Sequence, residues 1–140
     1  MVAKGLGAVS PLGIGVEASW EGLVAGRSGV GPVSRFDASD LPVRIAGEVH
    51  GFDPLHYVDR KRARHLDRFA QFAIAAAQEA RASSGIAVED EPERVGVVIG
   101  SGIGGMETFE TQHRTMLERG PGRVNPFFVP MMIANMAAGE

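Results

Sequence analysis

The segment Gly100-Ser101-Gly102-Ile103-Gly104-Gly105 directly follows the apolar run Val95-Gly96-Val97-Val98-Ile99. Its glycines at 100, 102 and 105 match the G-x-G-x-x-G spacing that turns a strand tightly into a phosphate-binding helix. A dinucleotide site also needs a second strand after the helix, ending in an acidic residue for the ribose hydroxyls. Glu118 lies at about the right distance, but it falls near the end of the predicted helix and no strand precedes it. A P-loop needs Lys-Ser or Lys-Thr after its glycines, and neither follows. The turn is therefore read first as a tight bend packed beneath another segment. A nucleotide-binding α/β module stays as a rival that retention on immobilised dinucleotide would rescue.

No other constellation offers a complete reaction centre. The chain has no cysteine, which removes disulfides, thiolate nucleophiles and thiolate metal ligands. Ser101 lacks the glycine two residues before it that a nucleophile elbow requires. The histidines, His50, His56, His65 and His113, form no H-E-x-x-H or comparable ligand pair, so each reads as a surface or packing residue and no metal is expected. One charge feature stands out. Arg60-Lys61-Arg62-Ala63-Arg64-His65 holds four of the 14 Lys and Arg residues in a chain of net charge -3. On composition alone a solvated helix end is favoured. The competing reading is a docking patch for an acidic partner, because clustered cations beside a rigid helix steer anions. The run has no interleaved aromatics for stacking bases, and the whole chain is acidic, so neither nucleic acid nor an anionic membrane is the expected partner.

These residues need a scaffold, and the chain has the means to build one. At 140 residues, 44% hydrophobic and 22% charged, it has the size and composition of one globular domain. No signal peptide is visible at the start, and the apolar region Phe127 to Ala138, broken by Pro130 and Asn135, is too short to span a bilayer. A cytoplasmic protein without a cofactor is expected. The 19 glycines cluster at turns rather than in a low-complexity tract.

Residues 8–15 read as loop. Val16, Trp20, Leu23 and Val24 share a helical face over Val16 to Ala25, with Gly26 placed to stop the helix. Residues 29–42 read as irregular, and Val43 to Val49 alternates like a strand. The strongest helical pattern follows the basic run: Leu66, Phe69, Phe72, Ala73, Ala76, Ala77 and Ala80 recur at three and four, up to Ser83-Ser84-Gly85. Val95 to Ile99 reads as a buried strand, and Met106 to about Arg119 as a helix closed by Gly120-Pro121-Gly122. Pro130 is placed to open a last helix through Met131 to Met136. Alternating strands and helices predict an α/β layered domain with no internal boundary.

The joint order of several segments resembles the β-ketoacyl-[acyl-carrier-protein] synthases. Gly5-Leu6-Gly7-Ala8-Val9-Ser10-Pro11-Leu12-Gly13 is similar to the opening of that family. Trp20 with Leu23, Ala25-Gly26-Arg27-Ser28-Gly29 and Arg35-Phe36-Asp37 continue the likeness. Asp67-Arg68-Phe69-Ala70-Gln71-Phe72, the turn at 100–105, Asn125-Pro126-Phe127-Phe128-Val129-Pro130 and Asn135-Met136-Ala137-Ala138-Gly139 follow the type II, elongating members in order.

The resemblance implies a thiolase-like fold, of which this chain supplies the N-terminal part of an α/β/α/β/α sandwich, and a homodimer of much longer chains. It implies decarboxylative Claisen condensation of acyl-acyl carrier protein with malonyl-acyl carrier protein in fatty acid elongation. A cysteine takes the acyl group, and two histidines assist decarboxylation and stabilise the enolate and oxyanion. In the family the cysteine lies shortly beyond the segment that Asn135 to Gly139 resembles. No catalytic residue is therefore carried onto this chain, and the 140-residue polypeptide is expected to be inactive and poorly soluble alone. Secondary roles do carry over. Ile103 matches a residue that walls the acyl-chain pocket, and Phe128 an aromatic that reaches across the dimer interface to close the partner's pocket. Lys61 and Arg64 match basic positions that dock acyl carrier protein, which turns the reading of the basic run toward docking. His65 stands where some members carry another base. Two departures accompany these matches: the first strand looks clipped, with only Met1-Val2-Ala3-Lys4 before Gly5, and the C-terminal two-thirds is absent. The alternative is a non-catalytic pairing homologue, truncated or similar to a chain-length factor.

Overall fold

The structure is a computed structural model that describes residues 2–140. Its contacts divide into two compact units: Met1–Asp53 with Ala75–Gly85, and Pro54–Ile74 with Ile86–Glu140.

The first unit begins with a tight hairpin where loop was expected. β1 (Val9–Ser10) pairs antiparallel with β2 (Gly13–Ile14), Val9 opposite Ile14 and Ser10 opposite Gly13. The helix α1 (Val16–Val24) follows, within the predicted bounds, but its buried residues are Ser19 and Gly22. The predicted apolar face points outward, with Trp20 64% exposed. The reason lies in the hairpin: the Ser19 hydroxyl bonds the Ser10 hydroxyl at 2.9 Å and donates to the Gly13 carbonyl at 3.1 Å, so small polar residues form the seam. A second ladder pairs β3 (Gly31–Pro32) with β4 (Ile45–Ala46). It is much shorter than the strand expected over Val43 to Val49, and the Val33 N–H donates to the Arg44 carbonyl at 2.9 Å just past it.

The α3 helix (Arg68–Ser84) supplies its later residues to the first unit. There the Glu79 carboxylate accepts the N–H of Ala8 at 2.9 Å and of Val16 at 2.8 Å. Val16 opens α1, and Gly15 before it has no side chain to cap the helix, so a remote carboxylate does so.

In the second unit, α2 (Arg60–Ala63) is one turn of helix made of the basic run. Its neighbour is the core cluster Val58, Leu66, Ala70 and Ile74, with Tyr57, Ala63 and Phe69 packed against it. Ala70 and Ile74 are one turn apart on α3, with Leu66 four residues before Ala70 in the segment that leads into the helix, and Ala70 is only 1% exposed. Burying Leu66 or Ile74 stabilises by roughly 1.5–3 kcal/mol each. The predicted face overlapped this stripe at Leu66 but was rotated away from Ala70 and Ile74.

Val95 to Ile99 forms no ladder among the described residues; Val98 is 98% exposed. A strand is defined by its partner, and none of the described residues supplies one to this segment. The helix α4 (Met106–Arg119) has the predicted bounds. The apolar end splits into α5 (Phe128–Met132) and α6 (Met136–Gly139). Pro130 is the third residue of α5 rather than its opener, and the helix stops where Ile133 turns extended, φ -68 and ψ 137. No helix among the described residues is long and apolar enough to cross a membrane.

Candidate functional site

Two features of the second unit gather the residues singled out in the sequence. The first is the glycine-rich turn. Gly104 adopts φ +83, and a Cβ there would collide with the Met132 carbonyl oxygen. Gly105 donates its N–H to that same oxygen at 2.8 Å, and a Cβ on it would collide with the Met131 carbonyl oxygen. The turn is thus pressed onto the end of α5, as the packing interpretation required. Gly100 and Gly102, the first two glycines of the nucleotide spacing, face open space. Ser101 acts within the turn, where its hydroxyl accepts the Gly104 N–H at 3.0 Å and so holds the bend.

Beside this contact lies an apolar cleft of ≈ 420 Å³, lined by Ile103, Met106 and Phe109 on one side and Met132, Ile133 and Ala134 on the other. Ile103 is 73% exposed. Phe128 stands next to the cleft, half-buried, with its ring 6.3 Å from that of Phe109. A cleft of this lining can hold a hydrocarbon chain and offers it no nucleophile or base.

The second feature is α2. Asp59 caps it, its Oδ1 accepting the N–H of Lys61 at 2.8 Å and of Arg62 at 3.0 Å. The Arg62 backbone N–H, helped by that of Lys61 and by both residues' positive charges, holds the Asp59 carboxyl below its usual range against the opposing effect of desolvation. The Arg62 guanidinium is engaged by Glu140 at 2.7 Å. Lys61 and Arg64 stay exposed. His65 stacks on Phe127 with ring centroids 4.0 Å apart. Lys61, Arg62, His65, Phe127, Pro130 and Met136 border a cleft of ≈ 530 Å³ together with Asp59 and Glu140, so cations and the carboxylates that engage them rim an apolar floor.

The histidines are each engaged locally. His50 lies 3.9 Å from the Glu48 carboxylate, His56 lies against Tyr57, and His113 stacks on Phe109. Among the described residues no group of three or more His, Asp or Glu could hold a metal ion. Sequence reasoning gave no role to Asp67 or Gln112. The Asp67 Oδ2 accepts the Thr108 N–H at 2.8 Å, and Gln112 Oε1 accepts the Asn125 N–H at 2.7 Å. Both are contacts between segments distant in sequence, for which local spacing carries no signal.

The family model for the beta-ketoacyl synthase N-terminal domain matches residues 2–140. The chain belongs to the beta-ketoacyl synthase family. A 3-oxoacyl-[acyl-carrier-protein] synthase 2 from Synechocystis sp. (strain ATCC 27184 / PCC 6803 / Kazusa) is 46% identical over 140 residues, covering 99% of this chain and 34% of the relative. Among solved structures, the ishigamide ketosynthase/chain length factor matches with TM-score 0.81 and 29% identity, over 97% of this chain and 34% of that one. A beta-ketoacyl synthase from Burkholderia phymatum STM815 matches with TM-score 0.78 and 28% identity, over 99% and 35% respectively. The thiolase-like layered fold expected for the N-terminal part is thereby established. This beta-ketoacyl synthase chain spans about a third of the length of the curated relatives it matches.

Proposed function

We propose that this chain is the N-terminal part of an elongating 3-oxoacyl-acyl carrier protein synthase, an acyltransferase of fatty acid synthesis. In the reaction, an acyl group held as an enzyme thioester is attacked by the enolate that forms when a malonyl thioester loses CO2. A carbon–carbon bond forms, the enzyme thiolate leaves, and a 3-oxoacyl-carrier protein results. Within this chain, Ile103 walls the acyl chain and Lys61 and Arg64 receive the acidic carrier protein. Phe128 closes the partner subunit's pocket in a homodimer.

The observation that carries this reading is the apolar cleft built by the glycine-rich turn against α5. It puts Ile103 beside a space for a hydrocarbon chain where a nucleotide site would need backbone N–H groups turned to phosphate. Without a cysteine, the 140-residue polypeptide has no acyl acceptor of its own and does not condense. The test is to supply acyl- and malonyl-carrier protein to the full-length protein and to the 140-residue polypeptide, and to follow product by mass spectrometry. Ketoacyl product is expected from the first and none from the second. Product from the polypeptide alone would overturn the division of labour, and none from the full-length protein would overturn the condensation reading.

The second reading is a pairing homologue that keeps the cleft but does not condense. The likeness to a solved ketosynthase/chain length factor favours keeping it. A full-length protein without a cysteine at the acyl-acceptor position would establish it.

A further inference from the structure

Asp67 is a buried carboxylate that lines neither the cleft nor the basic rim. Its Oδ2 accepts the N–H of Thr108 at 2.8 Å, and its Oδ1 that of Phe69 at 3.4 Å. Thr108 is the third residue of α4, so its N–H is one of the helix-start donors that have no partner within the helix. Gly105, at the N-cap position, has no side chain to offer it. A Cβ at Gly105 would stand 3.0 Å from the same Oδ2. The carboxylate therefore rests directly on the junction of the glycine turn and α4, the element that gives Met106 and Phe109 to the cleft wall. On its other side, Gln71 Nε2 donates to the carbonyls of Ala63 and Leu66, both at 3.1 Å, and fixes the link from α2 to α3 that carries Asp67.

We propose that Asp67 is a positioning residue for acyl-chain length: by holding the first turn of α4, it fixes the width of the cleft between Ile103, Met106 and Phe109 and the end of α5. The inference rests on the acyl-chain reading of that cleft. A long chain contacts more of the wall than a short one, so it is more sensitive to a displaced wall. Removing the carboxylate leaves the Thr108 N–H buried without an acceptor, which the first turn of α4 can relieve only by shifting. Asparagine keeps an acceptor oxygen but loses the charge that strengthens the bond.

The experiment uses the full-length protein and acyl-pantetheine thioesters from hexanoyl to hexadecanoyl, with binding followed by calorimetry and condensation in parallel. Asp67→Ala is expected to weaken hexadecanoyl binding about tenfold and hexanoyl binding less than about twofold, with Asp67→Asn between wild type and Asp67→Ala. Exchange of the Thr108 amide hydrogen quickens in the same order. Equal losses at every chain length, or none, would overturn the inference, because a merely structural residue lowers all substrates alike. Should Asp67→Ala fail to fold, Asp67→Asn carries the same comparison. Wild-type protein that binds chains by length without condensing them would sink the condensation reading and leave this inference to be judged on binding.

Discussion

Two helices of the second unit start on an aspartate carboxylate, and they do so in opposite ways. Asp59 serves α2 from the residue before it, exposed to water, through the N–H groups of Lys61 and Arg62. Asp67 serves α4 from 41 positions away and is buried. A local cap depends on nothing but its own turn, so it organises a surface feature, the basic rim. A remote cap ties two segments together, so it sets where the capped helix starts. Here that helix is α4, which gives Met106 and Phe109 to the cleft wall.

The sharpest way to break the remote arrangement without touching the carboxylate is to fill the space it needs. Gly105→Ala would drive a Cβ against the Met131 carbonyl and toward Asp67. Overpacking of this kind costs about 1–3 kcal/mol. Gly102→Ala, by contrast, enters open space and should stay within about 0.5 kcal/mol. Denaturant midpoints of the two variants, at equal slope, check the pair. Equal midpoints would mean that the turn is not packed onto α5.

The same contrast sets what could be read from the sequence. The bounds of α1 and α4, and the helical run that became α3, were legible because their periodicity and end signals are local. The roles proposed for Lys61, Arg64 and Ile103 rest on the joint order of family-like segments and not on local spacing. The buried faces were less legible. Ser19 and Gly22 displaced the apolar face of α1 because the hairpin at Val9–Ile14 accepts small residues, and nothing in the α1 pattern describes the hairpin. Val95 to Ile99 has the composition of a buried strand, but its pairing is decided by another segment. Asp67 and Glu79 act over long separations, which spacing rules do not reach.

The rim offers a smaller effect of a different kind. Lys61→Glu with Arg64→Glu in the full-length protein should slow association with acyl carrier protein about tenfold at low salt and far less at high salt, with the dissociation rate little changed. Stopped-flow measurements across ionic strength would test it. Because both side chains are exposed and Arg62 is the one engaged by Glu140, folding should be unaffected. Association that is indifferent to the double reversal would return the basic run to a solvated helix end and leave the cleft reading untouched.

The smallest effect belongs to the cap of α2 itself. The folded-state carboxyl of Asp59 titrates below its ordinary 3.8, first because the Arg62 N–H donates to it. The unfolded chain then binds the proton more readily, so the carboxylate's contribution to α2 is complete above 3.8 and is lost as pH falls through the lower folded value. Glu48, held low chiefly by the Ser34 hydroxyl, and Asp37, held low chiefly by the Ser39 N–H, follow the same sign, so a global acid melt would mix all three. The amide N–H groups of Lys61 and Arg62 donate to Asp59 itself, so their signals report it most directly. They should move together with a midpoint below 3.8 in the wild type and stay flat in Asp59→Asn. Asp59→Asn should leave the Thr108 amide signal where the wild type has it, because its acceptor is the other aspartate. A Thr108 signal displaced by Asp59→Asn would show that the two helix starts move as one, and the separation between a rim organised locally and a cleft organised remotely would fail.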